Sequence, residues 1–323
     1  PIPIPGPPGV PLNADLERAY DNFGMSGGIR ASDLTTVDGE ETCEAINDIF
    51  VGLGAPPRLG CDRLNLVLRD QGTAVAQALS LEPTFVALWV GGNDVLRAAL
   101  GGTVIDGITM TPVEDFEFFY RAAVDDLTSG GADLAVANVP NVADVPFMNT
   151  VPPVLVDPET REPVLVGGQF VPLLGPGGDP LSLGDKVTLL ATTYLAAGCG
   201  IPDPFRPGYD PNVCEDGYLP GSVVLDVSEQ AQVGARVDAF NAIIADVANE
   251  YGAALFDFQS YFADLNANGI NLGGIEYTSD FITGGLVSFD AFHPPPLVSA
   301  LLANGFIESI NDTFGSNLPL VDL

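Results

Sequence analysis

Three short apolar runs punctuate the chain. The run at 84–90, Thr-Phe-Val-Ala-Leu-Trp-Val, opens after Pro83 and stops at Gly91-Gly92. A continuous apolar stretch of that length predicts a strand buried on both faces. The runs at 134–139 and 253–258 repeat the pattern. Helical spacing fills the intervals. Thr111-Pro112-Val113-Glu114 reads as a capping box with proline at the first helical position, and Phe116, Phe119, Ala123 and Leu127 recur behind it. Ser228 is expected to cap a second helix whose inner face carries Val237, Phe240, Ile244 and Val247. Strands alternating with helices predict an α/β fold, a parallel sheet with helices on both faces. Residues 151–184 and 199–222 are rich in proline and glycine and show no period, so they are expected to be loop insertions or lids over one end of the sheet. One domain over residues 1–323 accounts for the whole pattern.

Charge narrows the partners. Lys+Arg total 11 against 43 Asp+Glu, a formal net charge of −32, and the only lysine is Lys186. Phosphate backbones and anionic membranes would be repelled, so no nucleic-acid partner is expected. A disordered acidic chain would be poor in apolar residues. This one is 46% hydrophobic with a mean hydropathy of +0.27, so it is expected to fold with its charge outside. A saline setting would suit such a surface, because salt screens its self-repulsion. No apolar run approaches the roughly 18 residues of a membrane helix, so stable membrane insertion is not expected.

The opening Pro1-Ile2-Pro3-Ile4-Pro5-Gly6-Pro7-Pro8 reads as neither a signal peptide nor a regular element. The four cysteines form no C-x-x-C pair and the chain holds a single histidine, so no zinc site is expected. Two local disulfides, Cys43–Cys61 and Cys199–Cys214, are the simplest of three pairings and favour an extracytoplasmic location, secreted or at the cell surface. Four reduced core thiols are the alternative. Asp203, Asp210 and Asp216 could serve as calcium ligands, but acidic residues in so acidic a chain are ordinarily just solvated.

Chemistry in an open α/β sheet gathers at the carboxyl ends of the strands. Gly91-Gly92-Asn93-Asp94 follows one such end, and its glycines permit a tight turn that leaves the Asn93 amide above the sheet. Asn93 as a simple helix cap is the competing reading. Near the other terminus, Asp290 and His293 stand three apart, a spacing that lets a carboxylate orient an imidazole and leave its second nitrogen as a general base. Pro294-Pro295-Pro296 then pre-set a helix over 297–311. The segment from Phe23 to Leu34 gives a glycine turn before a helix, a place for backbone N–H groups to hold an oxyanion.

Together these pieces resemble the GDSL or SGNH hydrolases, serine esterases and lipases with a three-layer, flavodoxin-like sheet. Tyr20-Asp21-Asn22-Phe23-Gly24-Met25-Ser26-Gly27 is similar to the family's second block, whose glycine, here Gly27, gives an oxyanion N–H. Gly91-Gly92-Asn93-Asp94 matches the third block, G-x-N-D, which makes Asn93 the other donor. Asp290-Ala291-Phe292-His293-Pro294 matches the fifth block, D-x-x-H-P. The likeness runs from about residue 15 to about residue 312.

One block is missing. The family's nucleophile stands in a Gly-Asp-Ser turn after the first strand, and no Gly-Asp-Ser occurs here; Gly184-Asp185-Lys186 comes nearest and is expected to lead into a helix. The resemblance therefore implies a nucleophile upstream of residue 1, on a first strand that belongs inside the sheet. Residues 1–323 alone are then expected to leave a gap in the ladder and to be unstable or inactive. The implied site is Gly27, Asn93, Asp290 and His293, with a small-molecule or lipid ester as substrate and neither cofactor nor metal. Oligomeric state stays open. Two other readings remain: Gly24-Met25-Ser26-Gly27-Gly28 also spells the G-x-S-x-G elbow of α/β-hydrolases with Ser26 as nucleophile, and a non-catalytic binding or surface protein could keep a degenerate form of the fold.

Overall fold

A computed structural model describes residues 13, 15–25, 29–53, 61–206 and 208–323. Its main elements are α1 (Glu40–Gly52), α2 (Ala74–Leu79), β1 (Phe85–Leu88), α3 (Asn93–Gly101), α4 (Val113–Thr128), β2 (Asp133–Ala137), α5 (Val227–Tyr251), β3 (Ala254–Phe256), α6 (Phe258–Asn268) and α7 (Pro296–Phe314). The strands form one parallel sheet in the order β1-β2-β3, with Leu88 beside Val136 and Ala137 beside Phe256.

Alternation along β2 sorts the helices between the two faces. Leu134 and Val136 point into the main core with Val237, Phe240 and Ile244 of α5. Ala135 and Ala137 point the opposite way. Ala135 packs with Ala254 and Ile310, and Ala137 with Phe256, Val298 and Leu302, which brings α7 onto that face. Small residues set the closeness of this contact: a Cβ on Gly305 would stand 2.4 Å from the Phe256 ring. The fold is thus mixed α/β with helices on both faces of a parallel sheet.

β1 departs from its predicted double burial. Phe85 is 40% and Trp89 44% exposed. The strand is the sheet edge, and no described residue pairs with its outer side. Phe85, Ala87 and Trp89 alternate onto the face that α6 and α7 cover only in part, whereas Leu88 and Val90 point into the main core. Trp89 is partly covered by edge-to-face contacts with Phe258 at 4.7 Å and Phe306 at 6.2 Å.

Helix starts differ from the sequence reading in two places. Pro112 is the N-cap of α4, not its first residue, and no side chain caps it; the Thr111 hydroxyl instead donates to Asp94 at 2.8 Å. For α5 the cap is Asp226 rather than Ser228. Its carboxylate accepts the Glu229 N–H while the Glu229 carboxylate accepts the Asp226 N–H, a reciprocal pair that satisfies two orphan donors. The predicted inner faces of α4 and α5 are buried, with Phe119 only partly so.

Short antiparallel pieces occur inside the first aperiodic insertion and just beyond the ends of both. Leu165–Val166 pairs with Gln169–Phe170, and Lys186–Val187 with Val224–Leu225. Gly184-Asp185-Lys186 therefore enters a strand, not the expected helix. Leu174 N–H donates to Gly200 O and Leu219 N–H to Leu174 O, which ties the two insertions together. Leu173, Val187, Leu219 and Leu225 share the main core.

Both disulfides take the local pairing, with Cα–Cα distances of 5.6 Å for Cys43–Cys61 and 6.2 Å for Cys199–Cys214, and among the described residues no cysteine is free. The first anchors a satellite core of Ile29, Val37, Leu64 and Leu68. Among the described residues no helix is long and apolar enough to cross a membrane.

Candidate active site

Asp290 organises the loop that carries the only histidine. One carboxylate oxygen, Oδ1, accepts the Ser288 hydroxyl at 2.6 Å and the N–H groups of Phe292 and His293, each at 2.9 Å. The other, Oδ2, lies 2.6 Å from His293 Nδ1. Burial by itself would raise this carboxyl, but the donors from Ser288, His293 and Phe292 hold it down at about 2. It is ionised at neutral pH and accepts only, so the proton of this contact lies on Nδ1. The His293 side chain is 62% exposed, and Nε2 has no hydrogen-bond partner among the described residues.

The loop is rigidly seated. Ser288 N–H donates to His293 O and Ala291 N–H to Ser288 O, both at 2.9 Å. Between them Ala291 adopts φ +61°, a left-handed conformation rare for a residue with a side chain. Ala291 is fully buried in the same core as Leu88 and Val90, and its carbonyl accepts the Phe147 N–H at 3.0 Å. The Phe147 carbonyl in turn accepts the Leu189 N–H, which ties the histidine loop to the segment between the two insertions. This strain is held by surrounding packing, as at many functional sites.

Asn93 stands at the carboxyl end of β1. Gly91 has φ +123°, and a Cβ there would lie 2.7 Å from Val139 Cγ2, so the turn requires glycine. Asn93 is the first residue of α3, whose N-cap is Gly92 with no side-chain cap. The capping role is therefore not the one Asn93 takes. Its Nδ2 donates to Ile29 O at 3.0 Å. An amide NH₂ has two hydrogens, which leaves one for a ligand oxygen.

Asp94, beside it, is 1% exposed. Oδ1 accepts the Thr111 hydroxyl at 2.8 Å and Oδ2 the Ala31 N–H at 3.1 Å. Burial pushes this carboxyl up to about 7, against the pull of both hydrogen bonds and of Arg30, with Asp33 adding to the rise. Gly27 and Ser26, together with residues 1–8, lie outside the described residues.

A cleft of about 670 Å³ opens between the helical turn Pro146–Asn149, α6 and residues 279–283, lined in part by Asn149, Asn266, Ser279, Asp280 and Phe281. Asp203, Asp210 and Asp216 are occupied separately: Asp203 faces Arg206 at 3.7 Å, Asp210 accepts from Asn212, and Asp216 accepts from the Tyr218 N–H. Among the described residues no group of three or more His, Cys, Asp or Glu side chains could hold a metal ion.

Sequence reasoning placed Asp290, His293 and Asn93 but missed Ser288, Asp94 and Thr111. Ser288 had a local signal, a hydroxyl two residues before an aspartate in a turn. Asp94 and Thr111 had none, because their meeting depends on tertiary structure. The chain matches no protein-family model, no curated protein and no solved structure.

Proposed function

We propose that the protein is a serine ester hydrolase of the SGNH type, working through an acyl-enzyme. The observation that carries this reading is the Asp290–His293 pair, 2.6 Å apart, with Nε2 open at the loop surface. An ionised carboxylate that fixes the imidazole tautomer and leaves the distal nitrogen free is the arrangement a general base requires. In the reaction a serine hydroxyl attacks the ester carbonyl. His293 takes its proton and returns it to the leaving alcohol, while Asp290 balances the imidazolium charge. The Asn93 amide and the Gly27 N–H stabilise the oxyanion.

Among the described residues nothing pairs with the outer edge of β1, and this supports the source of the nucleophile. A parallel strand placed there would extend the sheet toward a flavodoxin-like one and end beside Asn93. We place the serine on that strand, in a Gly-Asp-Ser turn upstream of residue 1. Two disulfides fit a secreted or cell-surface protein, since such bonds persist in oxidising compartments.

The test uses protein expressed from its full coding region. It should hydrolyse p-nitrophenyl acetate or butyrate, and a fluorophosphonate probe should label one serine, mapped by mass spectrometry to the upstream turn. His293→Ala should abolish both. Labelling at Ser26 would replace this reading with the G-x-S-x-G elbow. A folded protein with neither turnover nor labelling would be a binding protein with a degenerate site.

A further inference from the structure

We propose that Asp94 is a positioning residue that clamps the turn carrying Asn93 to the segment Ile29–Ala31 and so fixes where the Asn93 amide stands. The proposal rests on the hydrolase reading for its catalytic consequence, and on geometry for the clamp itself. Two adjacent side chains grip one remote segment. Asn93 Nδ2 holds Ile29 O at 3.0 Å, and Asp94 Oδ2 holds the Ala31 N–H at 3.1 Å, across 64 and 63 residues of sequence. A third tether fixes Asp94 from behind: Thr111 donates its hydroxyl to Oδ1 and its N–H to the Asp94 carbonyl, both at 2.8 Å. Arg236 donates to the Thr111 carbonyl, which anchors that tether to α5.

Simple packing does not require a carboxylate here. Burying one is costly, and an apolar side chain would fill the space without the penalty. What an apolar residue cannot do is accept two hydrogen bonds from different segments at once. The raised proton affinity of Asp94, with Asp33 adding to it and Arg30 opposing, is the mark of that cost. The clamp grips the Asn93 turn through two adjacent side chains, so it governs the distance between the Asn93 amide and the oxyanion it serves. An error of about 1 Å in that distance is enough to lower turnover about 10²-fold.

Asparagine separates clamp from charge. In Asp94→Asn the amide oxygen accepts the Ala31 N–H, and the NH₂ donates to the Thr111 hydroxyl oxygen, so both tethers survive. In Asp94→Ala both are lost, and in Thr111→Val only the rear one is. In full-length protein, Asp94→Ala should lower kcat about 10²-fold with KM little changed, Asp94→Asn should stay within a few-fold of wild type, and Thr111→Val should fall between. Amide hydrogen exchange gives a readout that needs no activity. Ala31 should exchange faster in Asp94→Ala and as in wild type in Asp94→Asn, while His293 keeps its rate in both.

A folded Asp94→Ala with normal Ala31 exchange and normal kcat would overturn the proposal. Equal losses in the Asn and Ala variants would overturn it too, since charge and not the clamp would then be responsible. If Asp94→Ala fails to fold, Asp94→Asn and Thr111→Val decide the matter. Absence of ester turnover in wild type would sink the hydrolase reading, with the exchange data still deciding whether the clamp exists.

Discussion

Asp290 and Asp94 are both carboxyls beside candidate site residues, and their surroundings drive them in opposite directions. Asp290 takes its donors from residues 288, 292 and 293 and is held at about 2. Asp94 takes side-chain partners 17 and 63 residues away and is pushed to about 7. The first sits in a half-exposed turn whose backbone N–H groups converge on it. The second is sealed in the core, where two hydrogen bonds do not offset the loss of water. One half of the site is a local motif, folded by its own turn; the other exists only when distant segments are brought together.

Chemistry gives the widest separation between the halves. In full-length protein Asp290→Asn should lower kcat about 10⁴-fold, because an amide no longer fixes the imidazole tautomer. Asn93→Ala should lower it about 10²–10³-fold through loss of one oxyanion donor. Steady-state kinetics on p-nitrophenyl butyrate checks both, and a near-normal kcat in either variant removes that residue from its role.

A second experiment targets the difference in range. Replacing Cys43 and Cys61 together by alanine should cost about 3 kcal/mol in the loop-entropy view. The satellite core containing Ile29 should loosen, and Ala31 should exchange faster, with the Ser288–His293 loop unchanged. Equal loosening of both regions would show that the halves are not independent.

The smallest effects lie in the pH dependence of stability, and there the two carboxyls have opposite signs. Asp94 rises on folding from 3.8 to about 7. Its contribution is fully present below about pH 4 and is lost as pH climbs through 7. Asp290 falls from 3.8 to about 2, so its contribution is present above about pH 4 and is lost as pH drops through 2. Urea midpoints across that range should show both slopes, with Asp94→Asn flattening the upper and Asp290→Asn the lower. Midpoints that ignore either substitution would contradict the assigned environment.

How far each element could be read in the sequence follows the same division. The runs at 134–139 and 253–258 lie on β2 and β3, and the predicted helical faces are in the core, because side-chain periodicity is a property of a few consecutive residues. Asp290 and His293 could be paired from a spacing of three. The double burial predicted for 84–90 failed, since an apolar run does not disclose how completely helices cover each face of a strand. Thr111 looked like a cap because the local pattern invites one. Its hydroxyl serves Asp94 instead, a partner that no window of sequence contains.

By itself the sequence determined the α/β alternation, the strongly acidic net charge, and the turns that carry Asn93 and His293. These depend on short-range sterics, hydrogen bonding and summed charge. Tertiary structure decided which face each helix covers, that β1 has a single partner among the described residues, and that Asp94 binds Ala31 and Thr111. Those outcomes depend on packing between residues far apart in the chain, where burial sets the strength of each polar contact.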